Sequence, residues 1–88
     1  MYKLKLICYG VPTHAGPQAA IDIAEEFTHR PWHRNVTCIW DGSELVLEAE
    51  NDNDENGLAL RDEFSDAISA CVSEGFVGSI IVEGVTKL

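Results

Sequence analysis

An α+β fold, a four-stranded antiparallel sheet with two helices on one face, follows from three features of the sequence. Its start alternates with period 2, an Asp41-Gly42 pair sits between two further alternating runs, and two stretches with apolar residues every three to four positions separate the extended segments. The 88 residues are read as a single domain, 1–88. A chain of this length buries roughly 60–65% of the surface its unfolded form exposes. With 45% hydrophobic residues it has the material for one core and needs no metal to fold.

Lys3 to Tyr9 alternate, with Leu4, Leu6 and Cys8 on one face and Lys3, Lys5, Ile7 and Tyr9 on the other, which is the pattern of a half-buried strand. Gly10, Pro12, Gly16 and Pro17 then mark a loop, and Pro17 suits a first helical turn, where its missing N–H leaves no hydrogen bond unmade. The first helix is predicted from about Pro17 to His29. Ala20, Ile23, Ala24 and Phe27 form its apolar stripe, His29 and Arg30 complement the dipole at its end, and Pro31 stops it.

Asn35 to Trp40 and Ser43 to Ala49 flank Asp41-Gly42, a predicted two-residue hairpin turn whose two positions both need positive φ. Pairing outward from it sets Trp40 opposite Ser43, Cys38 opposite Leu45, Val36 opposite Leu47 and Arg34 opposite Ala49, with one apolar face throughout. Asn51 to Gly57 is a polar loop. Leu60, Phe64, Ala67, Ile68 and Cys71 then make a second helical stripe, which Gly75 caps, with Phe76 folding back on the helix end. The last strand is predicted over Val77 to Val85, where Gly78 and Gly84 mark a bulge or an edge position.

The resulting order, β-α-β-β-α-β, is the ferredoxin-like arrangement, with strand order 4-1-3-2 and right-handed crossovers. That order sets the first strand beside the third, so that Lys3 and Lys5 meet Glu44, Glu48 and Glu50 across the outer face of the sheet.

Six Lys and Arg stand against 15 Asp and Glu, a net charge of −9 that repels nucleic acid and anionic membranes and attracts basic partners. The same charge also serves solubility alone. No window approaches the ~18 apolar residues of a membrane span, and Lys3 and Lys5 interrupt any apolar leader, so the mature chain is expected to begin at Met1. Three widely spaced cysteines, Cys8, Cys38 and Cys71, suit neither a disulfide framework nor zinc knuckles and point to a reducing, cytoplasmic setting.

Three places invite a functional reading. Asp52, Asp54 and Asn56, followed by Gly57 and with Glu63 at the twelfth position, match a minimal calcium loop. The loop follows a strand rather than a helix, Ala59 and Leu60 break the pattern, and the simpler expectation is that these residues cap the second helix. His29 to Arg34 is a basic and aromatic patch in which Trp32 either anchors a partner or closes the end of the core. Arg30, Arg34 and the lysines are expected to pair with Glu48, Glu50, Asp52 and Asp54, which leaves Asp22, Glu25, Glu26, Asp62, Glu63, Asp66 and Glu74 on the helices against Arg61. The open sheet face, with Ile7, Tyr9, Thr37, Ile39, Val46 and Ile81, calls for a cover, and a second copy is one.

Catalysis has little support. His14 could act as a general base, but the sequence does not mark a serine or cysteine as its nucleophile. His29 and His33 are separated by Pro31 and cannot share a helical face, the cysteines read as core residues, and the Gly10 to Gly16 loop has no cation for a phosphate. The sequence therefore predicts, with no cofactor, a small acidic non-enzymatic binding protein. Its form would be an inhibitor or immunity-type protein that neutralises a basic partner such as a nuclease toxin, touching it through Asp22, Glu25, Glu26, Asp62, Asp66 and Trp32. The alternatives are a homodimeric ligand-binding or enzyme domain with a pocket at the open sheet face near Tyr9, Ile39, Trp40 or His14, and a calcium-binding regulatory domain.

Overall fold

The chain alternates strands and helices as β1 (Tyr2–Cys8), α1 (Gly16–Phe27), β2 (Arg34–Trp40), β3 (Leu45–Asn51), α2 (Leu58–Cys71) and β4 (Ile80–Lys87). These come from a computed structural model, which describes residues 1–72 and 78–88. The expected Gly75 cap, the Phe76 contact, Glu74 and the start of the last strand at Val77 lie outside the described residues. The strands form one antiparallel sheet in the order β2-β3-β1-β4, which is 4-1-3-2 read from the other edge.

Alternation in β1 and β3 sends Leu4, Leu6, Cys8, Leu45, Leu47 and Ala49 to one face, where all are buried. Both helices cover that face, α1 with Ala19, Ala20, Ile23 and Phe27 and α2 with Leu60, Phe64, Ala67 and Ile68. Ala19, outside the expected stripe, is buried, and Ala24, inside it, is half-buried. Gly16 opens α1 directly beneath the indole of Trp40, and a Cβ there would overlap the ring. Trp40 thus packs on the core side and is not part of the open sheet face.

The hairpin register differs from the two-residue turn. Trp40 pairs with Leu45, Ile39 with Val46 and Cys38 with Leu47, a slide of two residues that keeps these side chains on their expected faces. Arg34, expected opposite Ala49 on the apolar face, instead pairs with Glu50 on the open face, because the register shifts between Arg34 and Thr37. The cause of the slide lies in Asp41, whose Oδ1 accepts the backbone N–H of Ser43 at 3.0 Å and of Glu44 at 2.8 Å. Gly42 alone in this turn has positive φ, 106°, so a two-residue turn with two such positions does not form.

The first helix ends two residues early. After Phe27 the bonds tighten to Thr28 N to Glu25 O, His29 N to Glu26 O and Arg30 N to Phe27 O, so His29 and Arg30 follow the helix rather than complete it. Two strands carry irregularities. In β2 the register shifts between Arg34 and Thr37, where Asn35 takes φ 51°, a value asparagine tolerates. In β4, Lys5 pairs with Gly84 but Leu6 with Val82, which leaves Glu83 as the extra residue. The expected bulge and edge position of the last strand are both present.

Lys3 faces Glu50 and Lys5 faces Glu48 across β1 and β3, as the charge pattern predicts, whereas Glu44 lies before β3 and is outside the register with β1. The Lys5 ammonium itself reaches Glu83 Oε2, at 3.7 Å. No helix among the described residues is long and apolar enough to cross a membrane.

Candidate functional site

The acidic loop folds into a helix cap. β3 ends at Asn51, whose buried Oδ1 accepts the Asp54 N–H at 2.9 Å. Asp54, also buried, accepts the N–H of Leu60 at 2.8 Å and of Ala59 at 3.3 Å, one on each carboxylate oxygen, and Asn56 Oδ1 accepts the N–H of Leu58 at 3.1 Å. Three donors of the first turn of α2, which no backbone carbonyl can reach, are thereby satisfied. Asp52 points the other way, exposed, with Arg34 Nη2 at 3.9 Å. Asp52, Asp54 and Asn56 therefore do not converge, and Glu63 turns away from them. Among the described residues no group of three His, Cys, Asp or Glu side chains could hold a metal ion.

Glu63 is instead the centre of a polar cluster that joins the loop after α1 to α2. Its Oε1 accepts from Arg30 Nη1 at 3.0 Å and from Trp32 Nε1 at 3.0 Å, and its Oε2 lies 2.6 Å from His33 Nε2. The Asn51 amide nitrogen stands 3.3 Å from His33 Nδ1. That nitrogen can only donate, so Nδ1 accepts and the ring hydrogen sits on Nε2, where it is donated to Glu63. Burial pushes the Glu63 carboxyl up, but hydrogen bonds from His33, Arg30 and Trp32 outweigh it and hold the group below its usual range. Phe27 completes the setting, with its ring 5.7 Å from that of His33 and 5.5 Å from the Arg30 guanidinium.

This cluster corrects the expected charge pairing. Arg30 binds Glu63 and, at 3.7 Å through Nη2, Glu26, rather than the acids of the sheet or the loop. Glu63 and Glu26 both leave the set of uncompensated helical acids. His33 has both ring nitrogens engaged and only 8% of its surface exposed, so it has no free position from which to move a substrate proton. His14 lies exposed in the loop after β1. The three cysteines are free, and burial pushes Cys8 up to about 11 and Cys38 up to about 12. Cys71 is also raised, by burial first and then by Asp22, Glu26 and Glu25 of α1. Thiols so shifted are poor nucleophiles at neutral pH.

Of the expected contact residues, Glu25, Asp62 and Asp66 are exposed, and Asp22 and Glu26 are half-buried, Asp22 accepting from Gln18 at 2.9 Å. Trp32 is 57% exposed but tethered through its indole N–H to Glu63, so the ring is held in one place at the edge of this surface. Arg61 is the one cation within α1 and α2.

The open face of the sheet carries an apolar row that runs across all four strands, Ile39, Val46, Ile7 and Ile81, each the register partner of the next. Ile39 and Ile81 at its ends are 57% and 47% exposed. Tyr9 is exposed just beyond β1. The next row away from the hairpin reads Thr37, Glu48, Lys5, Gly84, and the one after it Arg34, Glu50, Lys3, Thr86. A shallow depression of about 280 Å³ opens here between Lys3, Lys5, Glu48 and Glu83, and another of about 290 Å³ lies between α2 and the start of β4, beside Arg61, Asp62 and Ser65. Neither brings a histidine to a nucleophile.

No protein-family model, no curated protein and no solved structure matches this chain. Residues that the sequence singled out thus separate into a cap, a cluster centred on Glu63 and an acidic helical exterior. The Glu63 cluster was missed because its members lie about thirty positions apart, at no repeating interval.

Proposed function

We propose that this chain is a small non-enzymatic binding protein that recognises a basic protein partner through the exterior of α1 and α2, on a ferredoxin-like frame. The frame is inferred from the element order and strand order. An inhibitor or immunity-type protein that masks a basic enzyme, such as a nuclease toxin, is the specific form of this reading. One observation carries it. Asp22, Glu25, Asp62 and Asp66 stand on the two helices with Arg61 as the one helical cation, and Glu26 beside them shares Arg30 with Glu63, while Lys5 and Arg34 are paired with Glu83 and Asp52.

A one-signed surface of this kind speeds the encounter with an oppositely charged partner and makes it sensitive to salt. Trp32, fixed by Glu63 and exposed at the border, supplies the large rigid contact that charge alone lacks. The free cysteines support a cytoplasmic setting.

The test compares capture from the native host's lysate by the wild-type chain and by a variant with Asp22→Lys, Glu25→Lys, Asp62→Lys and Asp66→Lys. The wild type should retain a basic protein at low salt and release it at high salt, and the variant should retain none of it. Equal capture by both chains, or a partner indifferent to salt, overturns the reading.

A further inference from the structure

We propose that the open face of the sheet is an interface with a second copy of this chain, related to the first by a two-fold axis that runs parallel to the strands between β1 and β3. The argument rests on where charge lies about that line. In the order β2-β3-β1-β4 the axis exchanges β1 with β3 and β2 with β4. Lys5 and Glu48 are register partners on either side of it, and so are Lys3 and Glu50. The rotation sets each lysine over the glutamate of the other copy, twice per dimer for each pair. The apolar row is mapped onto itself, Ile7 over Val46 and Ile39 over Ile81.

The other in-plane choice, an axis across the strands, lays each strand on its own copy. Wherever the charged rows overlapped, lysine would meet lysine along β1 and glutamate would meet glutamate along β3, which disfavours binding. The face is therefore self-complementary in one orientation, as an isologous contact requires.

Its size sets the strength. Four strands at ~4.8 Å spacing and about seven residues at ~3.3 Å each give a footprint of roughly 19 by 23 Å, about 440 Å² per copy. Two such faces lie near the ~1,000 Å² that separates specific interfaces from incidental ones. The dimer is accordingly weak and concentration-dependent. It leaves the helices on the outside of both copies, so it stands or falls apart from the partner reading above.

Sedimentation equilibrium over about a hundredfold range of concentration tests it by mass action. The wild-type chain should pass from monomer towards dimer. Lys5→Glu and Glu48→Lys, each alone, should weaken association at least about tenfold, because each opposes like charges twice. An equimolar mixture of the two variants should recover it, since Glu at 5 in one copy then meets Lys at 48 in the other. Repulsion within each chain is unchanged by mixing, so the recovery reports the contact between copies and not folding. Ile39→Asn, at an exposed site, should also abolish the dimer while leaving the melting temperature nearly unchanged. A wild-type chain that stays monomeric throughout, variants that associate as well as it does, or a mixture that recovers nothing overturns the proposal.

Discussion

His33 Nε2 and Glu63 Oε2 lie 2.6 Å apart, and that contact fastens the loop leaving α1 to the outer edge of α2. From His33 the chain of bonds continues through Asn51 to the Asp54 amide, and from the Asp54 carboxylate into the first turn of α2. Three segments distant in sequence are thereby held by one polar path along the end of the core.

Glu63→Ala removes the acceptor that Arg30, Trp32 and His33 share, leaving Arg30 with Glu26 and His33 with Asn51. Each hydrogen bond to a charged group is worth roughly 1.5–3 kcal/mol, and partial access to water reduces the sum, so a loss of about 2–4 kcal/mol is expected. Urea unfolding of wild type and variant measures it, and Trp32, one of two tryptophans, should alter the native emission spectrum.

The pH dependence follows from the depressed Glu63 carboxyl. The unfolded chain takes up this proton more readily than the folded one. The contribution is therefore fully present above the unfolded carboxyl value and is lost as pH falls through the folded value. Between neutral pH and about pH 3 the melting temperature of wild type should drop further than that of Glu63→Gln, and the two curves should approach each other at the acid end. Parallel curves would remove Glu63 from the account.

Asp54→Ala removes a buried cap with two backbone partners and should cost about 1–2 kcal/mol. Calcium in millimolar excess should leave the melting temperature of the wild-type chain where it was, because both Asp54 oxygens already accept N–H groups. A rise with calcium would show that the loop can exchange its helix-capping bonds for an ion.

Gly16→Ala forces a methyl group into the Trp40 indole. Alanine is the better helix former by roughly 1 kcal/mol, so a neutral site would gain stability. Here the overlap dominates, and a net loss of about 1–3 kcal/mol is expected, with a change in the environment of Trp40 visible in near-ultraviolet circular dichroism.

Alkylation of the folded chain near pH 8 should be slow at Cys8 and Cys38, whose values of about 11 and about 12 leave little thiolate. Labelling in denaturant should proceed at the ordinary rate. Fast modification of Cys38 in the native state would contradict its placement.

The sheet and both helices were legible because their evidence is local and periodic. Leu4, Leu6 and Cys8 alternate, and Leu60, Phe64, Ala67 and Ile68 recur at helical spacing, so each face follows from sequence alone. The hairpin register was legible only up to its parity. Asp41-Gly42 identified the turn, but the Asp41 carboxylate, by accepting the Ser43 and Glu44 amides, moved the first strand pair two residues out. The Glu63 cluster was not legible. Nothing in the helical pattern separates Glu63 from Asp62 or Asp66, since only the return of the α1–β2 loop onto one side of α2 gives it Arg30, Trp32 and His33.

Both outer strands break step with their inner neighbours, β2 around Asn35 and β4 around Glu83. An unbroken rim offers a ladder of free N–H and C=O groups to any passing strand, and a break in the ladder spoils the match. The rims of this sheet are therefore poor templates for lengthwise growth into ribbons or fibres. Such a chain can be kept concentrated without polymerising edge to edge.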